Sequence, residues 1–311
     1  MLHEPVLHHY DPSPFSEKVR LMLGLKGLAW RSVIVPMVLP KPLLMPLTGG
    51  FRHTPVLQIG ADVYCDTLGI ALELERRWPQ PSLFPEGRGG LGAILAQWAE
   101  GPLFGSTARF VTGQFAGHLP AGLHADRAAM RGHAAPDPAH LPEIARLARE
   151  QMHPQLRWVE QLLADGRPFL LGARIALTDF ALYGRAWWLA ALDARGREEL
   201  RPYPGLRGWM ERVAACGHGQ TSELSPEGAL AIARDAEPAA LPAAPWCAAH
   251  LYPGQTVQVG TEGFAADSVT GELVAIEEET LTLRRLDPRA GTVHVHFPRV
   301  GYDLSPLGAS A

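Results

Sequence analysis

Hydrophobic residues recur at two different periods along the first 85 positions. Residues 5–10 form a short β-like run, and Ser13-Pro14 then sets an N-cap residue ahead of a proline in the first helical turn. Val19, Met22 and Leu23 follow on one helical face, and Gly27 marks the stop. Residues 30–35, 55–59 and 62–65 read as further strands, the last two joined by a turn at Gly60-Ala61. Helical spacing returns over 67–78 through Ile70, Leu72, Leu74 and Trp78. The order is β-α-β followed by β-β-α.

Gly87, Gly89 and Gly90 predict a linker, beyond which long helical patterns occupy 94–115, 141–163, 178–192 and 206–215. The His-, Ala- and Pro-rich stretch 117–142 reads as an extended loop. From 217 to 246 the chain reads as linker, interrupted by one short helix that Ser225-Pro226-Glu227 starts. Strand alternation reappears at 256–259, 272–276, 280–284 and 292–297, with turns at 267–271 and 287–291. The predicted organisation is a first domain over 1–85, an all-helical domain over 91–216, a linker with a short helix over 217–250 and a small β module over 251–307. The Pro- and Ala-rich stretch 237–245 makes that module look separable, so a chain cut after Glu237 is expected to stay soluble.

Composition narrows the function classes. Hydrophobic residues make up 47% of 311 and charged ones 19%, enough apolar material for more than one core. Lys and Arg number 28 against 32 Asp and Glu, net −4, with no basic stripe, so no nucleic-acid partner is expected. Pro36, Pro40, Lys41, Pro42 and Pro46 break the most apolar early stretch well short of the roughly 20 residues a bilayer span needs. With no leader pattern over 1–11, a cytoplasmic protein without membrane contact is expected. Cys65, Cys216 and Cys247 are odd in number and fit no CxxC spacing, which predicts reduced thiols. His294 and His296 share one face of a strand, but the neighbouring sequence offers no third ligand, so no metal is expected.

The chemistry concentrates at Ser13. A serine at a helix start after a strand puts a hydroxyl and free backbone N–H groups where an anion is stabilised, although the same residue also reads as an ordinary cap. Ser13-Pro14-Phe15-Ser16, Val19-Arg20, Thr54-Pro55-Val56-Leu57 and Asp66-Thr67, in that order, resemble the N-terminal domain of glutathione transferases, a Ser-type zeta/omega-like motif in which Ser13 stands where zeta-like members have the catalytic serine and omega-like members a catalytic cysteine. The run from Leu171 through Ala176-Leu177-Thr178-Asp179 is similar to that family's capping segment before its central helix, and Tyr203-Pro204-Gly205-Leu206 with Trp209 to its last helix. The likeness covers residues 1–215. One departure is Ala176, where the family usually has Ser or Thr, which leaves Asp179 to bond the helix start alone.

The resemblance implies an α/β thioredoxin-like N-terminal domain with a cis proline at Pro55, an all-α C-terminal domain, and here a small all-β C-terminal extension. It implies a glutathione S-transferase-type enzyme in which glutathione, or a similar low-molecular-weight thiol, is co-substrate and a small electrophile the target, in the manner of detoxification enzymes. Ser13 stands at the catalytic position, and with Ser16 in place of a second cysteine the chain lacks redox sulfur there. The protein's task would be to favour a bound thiolate over a thiol of pKa about 8.5. Asp66 would pair with the γ-glutamyl ammonium and Thr67 with its carboxylate. Thr54, Pro55 and Val56 would offer backbone groups to the cysteinyl part, and Arg52 and His53 are candidates for the glycine carboxylate. His9 reads as a packing or hydrogen-bonding residue, and Trp187-Trp188 with Tyr183 as pocket or core. A homodimer follows from the resemblance alone, and a non-catalytic thiol-binding or protein-interaction role on the same fold is the alternative.

Overall fold

A computed structural model describes residues 4–85, 89–241 and 246–307, with the side chains of 265–267 excluded. The first part is built as its periodicity predicts: β1 (Val6–His9), α1 (Pro14–Leu25), β2 (Ala29–Ile34), a single turn α2 (Met45–Thr48), β3 (Val56–Ile59), β4 (Asp62–Cys65) and α3 (Thr67–Arg77). β1 pairs parallel with β2 and antiparallel with β3, which pairs antiparallel with β4. β1, β3 and β4 are buried along their whole length, because helices cover one face and later segments the other. The Thr54-Pro55 bond is cis.

The helical domain comprises α4 (Gly89–Trp98), α5 (Phe104–Gln114), α6 (Leu123–Met130), α7 (Leu141–Leu162), α8 (Leu177–Leu192), α9 (Ala194–Leu200) and α10 (Pro204–Ala214). Three expectations are corrected. Residues 94–115 are not one helix, because Pro102 lacks an N–H and a π-helical turn over Ala99–Leu103 separates α4 from α5. Residues 117–142 are not all loop, since Leu123 and Met130 bury one face of α6. Gly87 lies outside the described residues, and Gly89 and Gly90 open α4 instead of linking. At the start of α8 Ala176 offers no cap hydroxyl, and the Asp179 carboxylate accepts from Ala176 N–H (2.9 Å), Leu170 N–H (2.9 Å) and Trp209 Nε1 (2.8 Å).

The chain then returns to the sheet. β5 (Gln220–Glu223) adds parallel to β2, α11 (Pro226–Arg234) starts at the Ser225 cap, and β6 (Thr256–Thr261), β7 (Phe264–Ile276), β8 (Thr280–Asp287), β9 (Gly291–Pro298) and β10 (Tyr302–Pro306) complete the fold. The turn expected at 267–271 is absent, because β7 runs continuously and pairs with β6 through that stretch. β9 pairs parallel with β4, Asp62 opposite His294, Val63 opposite Val295 and Tyr64 opposite His296. One ten-stranded sheet results, in the order β10-β6-β7-β8-β9-β4-β3-β1-β2-β5.

This overturns the expectation of a detachable module. Phe51, Val56, Val63 and Cys65 belong to the same core as Val257, Leu273, Leu283, Val293, Val295 and Phe297. Burying each large aliphatic or aromatic side chain is worth about 1.5–3 kcal/mol, and an uncovered β4 would also present unpaired backbone groups. A chain ending after Glu237 should therefore aggregate or elute as large species in size-exclusion chromatography. A monodisperse truncated protein that melts with the full-length chain would contradict the shared core.

Candidate functional site

The β1–α1 junction is organised by Ser13. Its backbone is extended, its Oγ accepts from Ser16 N–H at 3.1 Å, and its own N–H reaches Tyr10 O at 3.2 Å. Pro14 fills the first turn, where no N–H is needed. The hydroxyl thus accepts one bond, and its proton goes to no acceptor among the described residues. Ser13 is only 1% exposed, so a ligand touches it only once the cover moves. α8 packs on the same junction: Gly184 lies so close to the carbonyl of Pro14 that any Cβ would collide with it.

Beside this junction lies a charged residue that the sequence did not single out. Arg185 is fully buried, with its guanidinium 3.9 Å from the Phe15 ring centre and 4.9 Å from that of Phe104. None of its three nitrogens has a hydrogen-bond partner among the described residues. Burial lowers its pKa to about 10 and Glu100 works in the opposite direction, so the group remains a cation at neutral pH. The aromatic faces hold it by cation–π attraction.

Asp66 and Thr67 begin α3. Asp66 has φ 68°, a left-handed conformation that a non-glycine residue adopts at a cost of about 1–3 kcal/mol. Its carboxylate accepts from Leu68 N–H at 2.7 Å and from the hydroxyl of Tyr302, on β10, at 3.2 Å. Burial, then Glu100, pushes the Asp66 carboxyl up. Burial and the Asp66 charge raise Tyr302 well above its ordinary value, so it stays a donor. The Thr67 hydroxyl accepts from buried Lys18 Nζ at 2.9 Å and donates to Glu100 at 3.3 Å, while Lys18 and Glu100 form an ion pair of 2.7 Å.

The remaining expected residues line the approach to β3. Arg52 pairs with Asp126 of α6, and Lys41 Nζ donates to Arg52 O (2.8 Å) and Thr54 Oγ1 (2.7 Å). His53 stacks on Phe51 (5.0 Å) and meets the edge of Phe264, on β7, at 4.7 Å. Val56 is buried, opposite His8 on β1 and Cys65 on β4. Tyr302 and Phe264, like Arg185, are residues that sequence reading missed. The strand alternation was visible, but nothing local showed that the module folds back over Asp66 and His53.

His9 belongs to a different cluster. It lines a cavity of about 350 Å³ with Asp11, Glu17, Arg20, Trp30, Ser32, Trp187, His218 and Thr221. Arg20 Nη1 donates to His9 Nδ1 (3.1 Å), which leaves the proton on Nε2 to reach Ser32 Oγ (2.8 Å). This is the hydrogen-bonding role expected of it. Trp187 borders the cavity, whereas Trp188 stacks on Phe104 at 6.1 Å and Tyr183 packs against Trp209 at 6.3 Å.

Burial, and after it Arg20, lowers the His9 pKa from 6.5 to about 4. The unfolded chain therefore binds more protons between those values, and stability is lost as pH falls through that window. From pH 7 to 5 the loss from His9 alone is about 2 kcal/mol. Denaturant melts of wild type and His9→Gln should show a pH slope smaller by that amount in the variant; equal slopes would mean that His9 is not buried neutral.

Comparison with known proteins identifies relatives of this fold. Residues 7–82 match the family profile described as glutathione S-transferase, N-terminal domain, and residues 127–212 that described as glutathione S-transferase, C-terminal domain. A crystal structure of a GST-like protein from Pseudomonas syringae is 37% identical, with 97% of this chain and 99% of that one covered and a TM-score of 0.81. That coverage includes the β module. A glutathione S-transferase from Rhodospirillum rubrum F11 (20% identity, 68% and 88% covered, TM-score 0.54) and FzlA from C. crescentus (24%, 68% and 89%, 0.53) share the fold. Comparison with curated proteins finds no match.

Proposed function

Because the chain belongs to the glutathione S-transferase family, we propose that it binds glutathione, or a similar low-molecular-weight thiol, with the sulfur at Ser13, and activates the thiolate for attack on a small electrophile. The observation that carries this reading is the Ser13 hydroxyl. It accepts from Ser16 and keeps its own proton for an anion, at the positive end of α1. A hydrogen bond from that proton favours the charged sulfur and lowers its pKa. The sulfur lone pair then forms the S–C bond, the electrophile's leaving group departs with its electron pair, and the thiol proton goes to solvent.

In this reading Asp66 takes the ligand's ammonium, and Lys18 beside Thr67 adds a cation for its carboxylate. Thr54, Pro55 and Val56 offer backbone groups to the cysteinyl part, and Arg52 and His53 face its glycine end. Ammonium binding must compete with the Tyr302 hydroxyl at Asp66. A homodimer remains part of the proposal, with its interface away from the β4 edge, since β9 occupies that edge. Cytoplasmic residence and a detoxifying role are proposed likewise. No helix among the described residues is long and apolar enough to cross a membrane.

A specific observation favours a second reading, a non-catalytic thiol-binding or interaction protein of the same fold. Tyr302 holds Asp66, Lys18 and Glu100 hold Thr67, Asp126 holds Arg52, and Ser13 is sealed, so partners within the chain occupy the reading groups. Turnover of model electrophiles separates the two, since binding without turnover belongs to the second.

Ser13→Ala should lower kcat/KM for conjugation about 10- to 100-fold, as expected from losing a charge-assisted bond of about 1.5–3 kcal/mol. Stability should fall by only about 1 kcal/mol, the worth of the cap. Unchanged kinetics would place the catalytic role elsewhere.

Glutathione and an S-alkyl glutathione, but not unrelated thiols, should raise the melting temperature, because a ligand at 100 times its Kd adds about 2.7 kcal/mol. Asp66→Ala should abolish that shift and Tyr302→Phe enlarge it. A shift indifferent to Asp66 would mean that the amino-acid end of the ligand is read by other groups.

A further inference from the structure

The seam between β4 and β9 brings together three side chains that the sequence keeps far apart. The parallel register sets Asp62 opposite His294, and the two-residue period of a strand puts His296 on the same face. His296 Nε2 lies 2.9 Å from Asp62 Oδ1, His294 Nδ1 lies 3.8 Å from the same oxygen, and the ligand atoms of all three residues are within 4.8 Å of one another. We propose that Asp62, His294 and His296 bind one divalent transition-metal ion of the zinc type, which pins the C-terminal strands to the thioredoxin-like sheet.

Three observations support this. Donors about 2.0–2.1 Å from a tetrahedral ion stand about 3.4 Å apart, and the two separations from Asp62 Oδ1 bracket that value. His294 Nδ1 is buried and has no hydrogen-bond partner, a cost that an ion would remove. The other two ligands are already oriented from behind. Thr282 Oγ1 meets His296 Nδ1 at 3.0 Å, Ala239 N–H donates to Asp62 Oδ2 at 2.8 Å, and the Tyr64 ring stacks on His296 at 4.3 Å. Such outer bonds fix the orientation of metal-bound imidazoles and carboxylates.

Two imidazoles and one carboxylate suit zinc and its neighbours, and supply too few oxygens for calcium or magnesium. The side chains of His294 and His296 are 13% and 15% exposed, so an ion enters from solvent and water completes its coordination. The nearby cation Arg284, opposite His294, is already neutralised by Glu272, with contacts of 2.6 and 2.7 Å. The competing arrangement has a proton, and no ion, between His296 and Asp62.

The test uses tag-free, full-length protein stripped with a chelator and dialysed. Titration with Co²⁺, followed by its visible d–d absorption, and with Zn²⁺ by calorimetry should each show one equivalent bound, and Zn²⁺ should raise the melting temperature while Ca²⁺ and Mg²⁺ do not. His294→Ala also removes the packing of a largely buried ring, so its Zn²⁺ response is read against its own metal-free form. Its affinity for Zn²⁺ should be at least about 10-fold weaker, with the melting shift lost. Asp62→Asn, which keeps an oxygen for Ala239, should weaken binding similarly. Absence of saturable binding to the wild type at micromolar Zn²⁺, or equal binding by wild type and both variants, would overturn the proposal.

Discussion

The structure depends on how one sheet edge is closed. In the first 85 residues β4 ends a four-stranded sheet, leaving a row of backbone N–H and C=O groups and, above it, the apolar side chains Val56, Val63 and Cys65. An open hydrophobic edge invites pairing with another chain. Here β9 takes that edge in parallel register, and a chain that has meanwhile built a whole helical domain returns to complete the sheet it began. Tyr302 reaches Asp66, Phe264 reaches His53, and the two strand histidines reach Asp62, all because this pairing sets their place.

The site beside Ser13 relies on a second constraint, the burial of charge between domains. Lys18 from α1 meets Thr67 from α3 and Glu100 from the π-helical turn, so one buried cation ties three segments. Removing one member of such a set strands the others in a low dielectric, which costs far more than the set contributes when whole. Arg185 satisfies the same requirement differently, lying between aromatic faces. Asp179 is the most fully bonded of the group, its carboxylate taking three N–H donors at the start of α8. Lys18 and Arg185 thus tie α1 to the helical domain, whereas Asp179 is bonded wholly within that domain.

The sheet pairing also joins the C-terminal strands, which lie beyond the two matched family domains, to the first of those domains. Tyr302 of β10 bonds Asp66 and Phe264 of β7 meets His53, so the C-terminal strands border the residues of the proposed thiol site.

Local chemistry makes much of this legible in the chain alone. Ser13-Pro14, Ser225-Pro226 and the stop at Gly27 act within a turn or two of chain, so the caps and the β-α-β, β-β-α order follow from spacing. The motifs around Thr54-Pro55 and Asp66-Thr67 point to the family for the same reason. Features that depend on partners distant in sequence are not legible. β5 is wholly exposed Gln-Thr-Ser-Glu, held by backbone pairing with β2, and carries no hydrophobic period to detect. Tyr302 and Asp66 are 236 residues apart, and Asp62 and His296 are 234. Periodicity determined which face each strand side chain takes, but only the register of β4 against β9 decided which residue it meets, because strand pairing is a choice among distant edges that no local pattern encodes.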